Sequence, residues 1–304
     1  MKLNFNIDYR TNWGESVYIV ASIPQLGGGD EGSAVKMELD GVGLWTLSVD
    51  VPEGTPAFDY RYLVRHDNGY VRHEWGCAHR FVPGYDVNTF EIYDRWQEQP
   101  YDKPYYSSVF VDCINRRDHR DAPLSIHGGT LTINVDAPMV GSDEVLAICG
   151  DNMALGEWDP SHAVVMNDCN FPQWSVNIDF RELDLPFRYK FVILKKDTLQ
   201  LLSGENGDNR LMNIIPEHKS SALVISGLRL NNSRPSWRGA GVAIPVFSVR
   251  SNDDFGVGDF YDLKLMVDWA VATGQKFLQI LPINDTTMTH TWTDSYPYKA
   301  NSTF

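Results

Sequence analysis

The chain has few positive charges, few cysteines and no long apolar run. Of its 304 residues, 26 are lysine or arginine against 40 aspartate or glutamate, a formal charge of −14. A protein that reads nucleic acid usually carries a basic patch, so no nucleic-acid partner is expected. The acidity itself reads as solubility. No stretch approaches the roughly 20 apolar residues that span a bilayer, so no membrane partner is expected. The opening MKLNFNIDYRTNWGE holds no apolar signal-peptide core. Cys77, Cys113, Cys149 and Cys169 show no C-x-x-C spacing. Scattered, and with no export signal, they read as reduced thiols, and the expected location is cytoplasmic.

What the chain does have is a segment that occurs twice. Residues 17–29 read VYIVASIPQLGGG and 145–158 read VLAICGDNMALGEW. LWTLSV at 44–49 matches QWSVNI at 173–178, and FDYRYLV at 58–64 matches FRYKFVI at 187–193. Each copy closes on a basic pair of positions, His79–Arg80 and Asn209–Arg210. The offset stays between 128 and 130 residues, as Val17 against Val145 and Arg80 against Arg210 show, so one domain occurs twice in the same order. Short runs rich in Val, Ile, Tyr, Phe and Trp alternate with Gly, Asn, Asp and Pro turns. That spacing predicts two antiparallel β-sandwiches of about 100 residues each. The expected organisation is a first sandwich over 1–98, a linker over 99–121, a second sandwich over 122–232 and a different unit over 233–304.

The repeat resembles the family-20 carbohydrate-binding module, the starch-binding domain. Copy two carries the likeness best, in V-L-A-I-C-G, L-G-E-W-D-P, the lone Trp174, F-R-Y-K-F-V and G-E-N-G-D-N-R. The chemistry suits it: a glucan is neutral with apolar sugar faces, and flat aromatic platforms with a few donors hold such a ligand. The resemblance implies a first site in copy two with Trp158 as platform, Lys190 as donor, and Glu205 and Asn209 as polar neighbours. In copy one it implies Trp75 as the first-site platform, with Gly28–Gly29 in place of the other tryptophan and Arg61 in place of the lysine. Trp13 and Trp45 match the second site of copy one. Trp174 matches half of that site in copy two, its partner near Gly141 being absent. The bland alternative for each tryptophan is core packing, which weighs most on the mid-strand Trp45 and Trp174.

The last segment reads differently. GVAIPVF at 241–247 and KFLQILPI at 276–283 fit buried parallel strands. Between them, 259–274 has helical periodicity, with Asp259 as N-cap, Asp262 three residues on and Gly274 as stop. Strand, helix and strand make a βαβ unit. The stretches G-V-A-I-P-V-F-S-V-R-S, F-G-V-G-D-F, G-Q-K-F-L-Q-I-L-P-I-N-D-T and D-S-Y-P-Y-K-A-N-S-T-F resemble the start of the barrel of glycoside hydrolase family 77, the 4-α-glucanotransferases. The expected fold class is therefore all-β tandem sandwiches followed by the first βαβ unit of a (β/α)8 barrel. The resemblance implies glucosyl transfer on maltose, glycogen or soluble α-glucan by retaining double displacement, with α-1,4-glucans as partners and no cofactor or metal. Asp294, Ser295 and Tyr298 would bind substrate in the barrel, with Asn284 and Asp285 behind them. The paired carboxylates of retaining transfer sit on later barrel strands in that family. This chain by itself is thus expected to bind glucan without catalysing transfer. A non-catalytic glucan-binding or scaffold protein is the alternative, and an exported adhesin is disfavoured.

Overall fold

In a computed structural model the chain forms two compact units, Met1–Ser233 and Arg234–Phe304. The structure describes residues 1–41, 43–76, 79–216, 218–232 and 237–281, and the single positions 283, 289, 291 and 293.

The first unit holds both copies. Copy one runs through β1 (Lys2–Asp8), β2 (Glu15–Ala21), β3 (Val35–Lys36), β4 (Glu38–Leu39), β5 (Leu44–Asp50), β6 (Phe58–His66), β7 (Val71–His73), β8 (His79–Phe81) and β9 (Thr89–Arg95). Copy two follows as β10 (Thr130–Asp136), β11 (Glu144–Gly150), β12 (Val164–Val165), β13 (Gln173–Asp179), β14 (Phe187–Lys195), β15 (Leu201–Gly204), β16 (Arg210–Met212) and β17 (Ala222–Arg229). Side-chain alternation explains the strands. Along β6, Phe58, Tyr60 and Tyr62 are buried while Asp59 and Arg61 are exposed.

Each copy is a sandwich with its own small sheet: β3-β2-β6-β7 with β8 in copy one, and β12-β11-β14-β15 with β16 in copy two. The opposing sheet is shared. It runs β13-β10-β17-β9-β1-β5-β4 through both copies, joined where β17 pairs with β9. Purely antiparallel sandwiches were expected; β1–β9, β10–β17 and β9–β17 are instead parallel. The first and last strands of each copy lie side by side without a hairpin, because the chain between them crosses to the small sheet and back.

At the join, Ala222 pairs with Phe90 and Val224 with Ile92, and these residues pack in the core of copy one. Leu223 and Ile225, one residue out of phase, pack in the core of copy two, and Tyr93 packs against it. Successive strand residues point to opposite faces. The two small sheets therefore cover opposite faces of the shared sheet, each over its own half.

Copy one carries a polar cluster inside its core. The hydroxyls of Tyr60 and Tyr62 both donate to Asp94 Oδ2, at 2.8 and 2.7 Å. His79 lies 3.5 Å from Asp94 and 3.1 Å from Glu74. Burial alone pushes the His79 imidazolium toward neutrality; the charge of Asp94 and the hydrogen bond and charge of Glu74 outweigh it and hold the pKa at about 9. Copy two has Phe191 and Leu228 in its core instead.

The linker is folded, with a 3₁₀ turn at Lys103–Tyr106 and a π turn at Val109–Ile114. The second unit pairs β18 (Gly241–Ile244) with β19 (Phe277–Ile280) in parallel, connected through α1 (Asp262–Ala272). Asp259 accepts from the amide of Asp262 at 3.4 Å, and Asp262 accepts from the amide of Asp259 at 2.9 Å. The exchange ties the turn that leads into α1, but the helix itself begins at Asp262 with Tyr261 as its N-cap and no side-chain cap, later than the spacing suggested. No described helix is long and apolar enough to cross a membrane.

Candidate functional site

The turn after β11 builds the most exposed aromatic surface of copy two. Asn152 caps a short 3₁₀ turn by accepting from the amide of Ala154, and Gly156 closes it in the left-handed region. Glu157 and Trp158 follow at φ 49° and 66°, a conformation that costs a non-glycine residue about 1–2 kcal/mol. Trp158 is held there by its amide bond to the Gly150 carbonyl at 2.8 Å, and Asp159 caps the next turn through Ser161. The indole stays 39 % exposed on this fixed turn.

Copy one has the same turn without the ring. Gly27, Gly28 and Gly29 take φ values of 89°, 59° and 85°, and the amide of Gly29 bonds to Ala21 at 2.7 Å. Gly29 is therefore the counterpart of Trp158, and a side chain at Gly28 or Gly29 would meet nothing within 4 Å. Nearby, Arg61 is tied to Glu31 at 2.7 Å, and His73 reaches the same carboxylate at 3.0 Å.

Lys190 lies opposite Cys149, next to the pair formed by Gly150 and Tyr189, so it shares the Trp158 end of its sheet. Its ammonium donates to the carbonyls of Gly207 at 2.7 Å and Glu205 at 3.4 Å. It fixes the loop that carries the exposed Asn209. Glu205 is not a surface ligand. It is buried, held by Arg210 at 2.5 and 2.8 Å, and accepts from the amide of Asn231 at 3.1 Å. Glu74 does the same in copy one, accepting from the amides of Tyr62 and Gln97 at 2.9 Å and contacting His79. His79 and Arg210 pair with Tyr60 and Tyr189 respectively, so these two correspond, one residue out of step with the alignment of Arg80 to Arg210.

That shift moves Trp75. Its amide bonds to Gln97 as that of Asn206 bonds to Asn231, both at 2.8 Å, so Trp75 corresponds to Asn206 and not to Gly204. Its half-buried ring meets Tyr106 edge-on at 5.4 Å, with the Arg229 guanidinium 5.9 Å from its centre. It lines a cavity between the copies rather than the turn of Gly29.

The second-site expectations divide. Trp13 is 99 % exposed in the loop before β2. The amide of Asp67 bonds to Gly14 in that loop at 2.9 Å, and Glu15 accepts from the amide of Asn12 at 2.8 Å. Trp45 and Trp174 are core residues at 5 % and 0 % exposure. Trp45 pairs with Ile7 and Trp174 with Val135, which sets both rings inward, and their indole N–H groups bond to Tyr9 and Ala137 carbonyls. The linker closes this place in copy two. The Arg117 guanidinium lies 4.3 Å from the centre of the Trp174 ring and donates to Gly141 at 2.9 Å and to Asp168 at 3.1 Å. Nothing in the polar linker sequence singles out Arg117.

Comparison with known proteins decides the family. A sequence model described as starch binding domain matches residues 1–91 and 130–224, over half of the chain. The chain belongs to the starch-binding-domain family. A second model, described as 4-alpha-glucanotransferase, matches residues 244–304. The chain is 33 % identical, over 99 % of its length, to the 4-alpha-glucanotransferase DPE2 of Oryza sativa subsp. japonica, and spans 33 % of that protein. A 4-alpha-glucanotransferase of Chlamydia trachomatis serovar D is 50 % identical over 46 residues, 15 % of this chain and 9 % of that one. Among solved structures, the Family 20 CBM of a maltotetraose-forming amylase from Pseudomonas saccharophila STB07 aligns at 17 % identity and a TM-score of 0.27, over 32 % of this chain and 99 % of that one.

In the second unit of this starch-binding-domain protein, Asp254 accepts from the amides of Ser251 and Gly256 at 3.0 and 2.8 Å, a turn role like that of Asp259 and Asp262. Asp294, Ser295 and Tyr298, with Asn284 and Asp285, lie outside the described residues. Among the described residues no cluster of three metal-ligating side chains occurs.

Proposed function

We propose that the two starch-binding domains hold α-1,4-glucan through the Trp158 turn of copy two and the Trp13 loop of copy one. The observation that carries this reading is Trp158, a large apolar ring kept in a left-handed backbone, exposed, beside the loop fixed by Lys190. A ring so placed covers a sugar face at low entropic cost. Two weak sites on one body raise avidity without new contacts, which suits a branched, multivalent polymer such as glycogen or starch.

We further infer that the whole protein is a 4-alpha-glucanotransferase and that the second unit is the start of its barrel. The similarity of residues 244–304 supports this, as do the parallel strands and the helix joining them. The exposed faces of that unit support it too: Phe277, Ile280, Leu265 and Trp269 are each at least 41 % exposed, surface that further barrel strands and helices would cover. Retaining transfer needs two carboxylates about 5–5.5 Å apart across the bond. Among the described residues, Asp254, Asp259 and Asp262 bond to amides of their own turns; the part proposed for this chain is to bind glucan and deliver it. The cytoplasmic location belongs to the same proposal and rests on the scattered cysteines.

Affinity electrophoresis in gels containing glycogen tests the binding. The chain is expected to be retarded, and Trp158→Ala to be retarded less than the parent. Unchanged mobility of the parent chain with and without glycogen would refute the reading.

A further inference from the structure

We propose a third glucan site, in the groove between the two starch-binding domains, that takes a linear α-1,4-glucan segment. It rests on the glucan reading above but uses none of the same side chains. Two cavities of about 350 and 320 Å³ line this junction and adjoin across Arg80, Asn134, Asn170 and Gln173, which line both; together they make the groove.

The groove follows from the shared sheet. Over the copy-two half, the small sheet of copy two covers one face, where Leu131, Ile133, Trp174 and Val176 are buried. The other face carries the residues in between, and the small sheet of copy one ends beside it at β8. That step leaves a floor of hydroxyls and amides. Asn134 donates to Ser226 at 2.9 Å, Ser175 donates to Asn134 at 2.6 Å, and Thr132 donates to Asn177 at 2.8 Å. These bonds fix the rotamers and still leave amide protons and lone pairs for a ligand.

The walls select the class of ligand. Trp75 stands at one end, braced edge-on by Tyr106, and offers an apolar ring. The charges lining the groove come in both signs: Arg80 is paired with Asp59 at 3.1 Å, and Asp136 and Arg229 line the Trp75 end. His79, also on the lining, is an imidazolium already held between Glu74 and Asp94. An anion would meet the carboxylates of Asp59 and Asp136 and a cation the guanidinium groups of Arg80 and Arg229, so a neutral ligand is favoured over either. A neutral chain with hydroxyls on its edges and apolar faces matches an amide-and-hydroxyl floor ending in a tryptophan. Because the floor belongs to copy two and Arg80 and Trp75 to copy one, a bound chain would bridge both domains.

The test uses the full chain carrying Trp13→Ala and Trp158→Ala, titrated with maltoheptaose by calorimetry, with thermal melting as the check on folding. One binding equivalent is expected to remain. Trp75→Ala, and separately Asn170→Trp, which places a bulky ring at the exposed Asn170 without touching the floor bonds, should each weaken it at least tenfold, about 1.4 kcal/mol. If the parent binds and the double variant does not, the groove is refuted and the two surface sites stand. If the residual binding survives both added substitutions in proteins that melt normally, it lies elsewhere and the groove is refuted. If the parent itself does not bind, both readings fall.

Discussion

At the turn after its second strand, copy two places Trp158 where copy one places Gly29, on the same left-handed backbone. At the loop before that strand the exchange is reversed. Copy one exposes Trp13, while copy two has Gly141 bonded to Arg117 of the linker. The cores differ as well. Both anchor a loop on a buried carboxylate, Glu74 or Glu205, and both keep a tyrosine beside it, Tyr60 or Tyr189, but copy one has Asp94 and Tyr62 by His79 where copy two has Leu228 and Phe191. One frame thus carries two different surfaces, and the frame is kept by backbone bonds and carboxylate anchors rather than by the aromatic platforms.

The sharpest way to break this comparison is to remove the ring that both copies keep. Trp174→Ala and Trp45→Ala should each cost about 3–5 kcal/mol in urea unfolding. Trp174 should cost more, because Arg117 then loses the ring beneath it. Equal, small losses from both would show that these rings are not core.

The anchors come next. Glu205→Gln strands the mostly buried Arg210 and should cost about 3 kcal/mol. The corresponding link in copy one is pH-dependent. The His79 pKa is raised from 6.5 to about 9, so its stabilisation is complete below pH 6.5 and is lost as pH rises through 9, about 3 kcal/mol in all. Urea unfolding at pH 6 and pH 9.5 measures it, and His79→Gln should flatten that part of the profile. Asp136 acts in the same sense at lower pH. Burial raises its carboxyl to about 6, so stability falls as pH rises from 3.8 through 6.

Much of this was legible in the sequence. The alternation in FDYRYLV and FRYKFVI gives strands with a buried row, and the near-constant offset gives two copies. The periodicity of 259–274 gives the helix, though it begins at Asp262 and not beside Asp259. The fate of Trp45 and Trp174 was also written there, since Trp174 shares its parity with Val176 and Ile178, and Trp45 with Leu47 and Val49. The likeness to a binding site outweighed that parity in the reading of those two residues. Other features had no local signal. The β9–β17 pairing joins residues 132 positions apart, such as Phe90 and Ala222, and Arg117 reaches its ring from an irregular linker. Glu205 looks like any loop acid until its amide and guanidinium partners come together in space. The groove between the copies depends on the β9–β17 pairing and was invisible for the same reason.

The smallest expected effect sharpens the comparison by reversing it. Gly29→Trp rebuilds the missing platform on a backbone that already tolerates tryptophan in copy two. It should cost about 1 kcal/mol of stability and increase retardation in glycogen gels. No gain in retardation would mean that the turn alone does not make a site.

The most direct test of the divided platforms is equilibrium binding to glycogen of four proteins: the parent chain, Trp13→Ala, Trp158→Ala and the double variant. Each single variant is predicted to keep part of the affinity and the double variant to lose far more than either alone. A single variant as weak as the double, or one as strong as the parent, would place all surface binding in one copy and contradict the account.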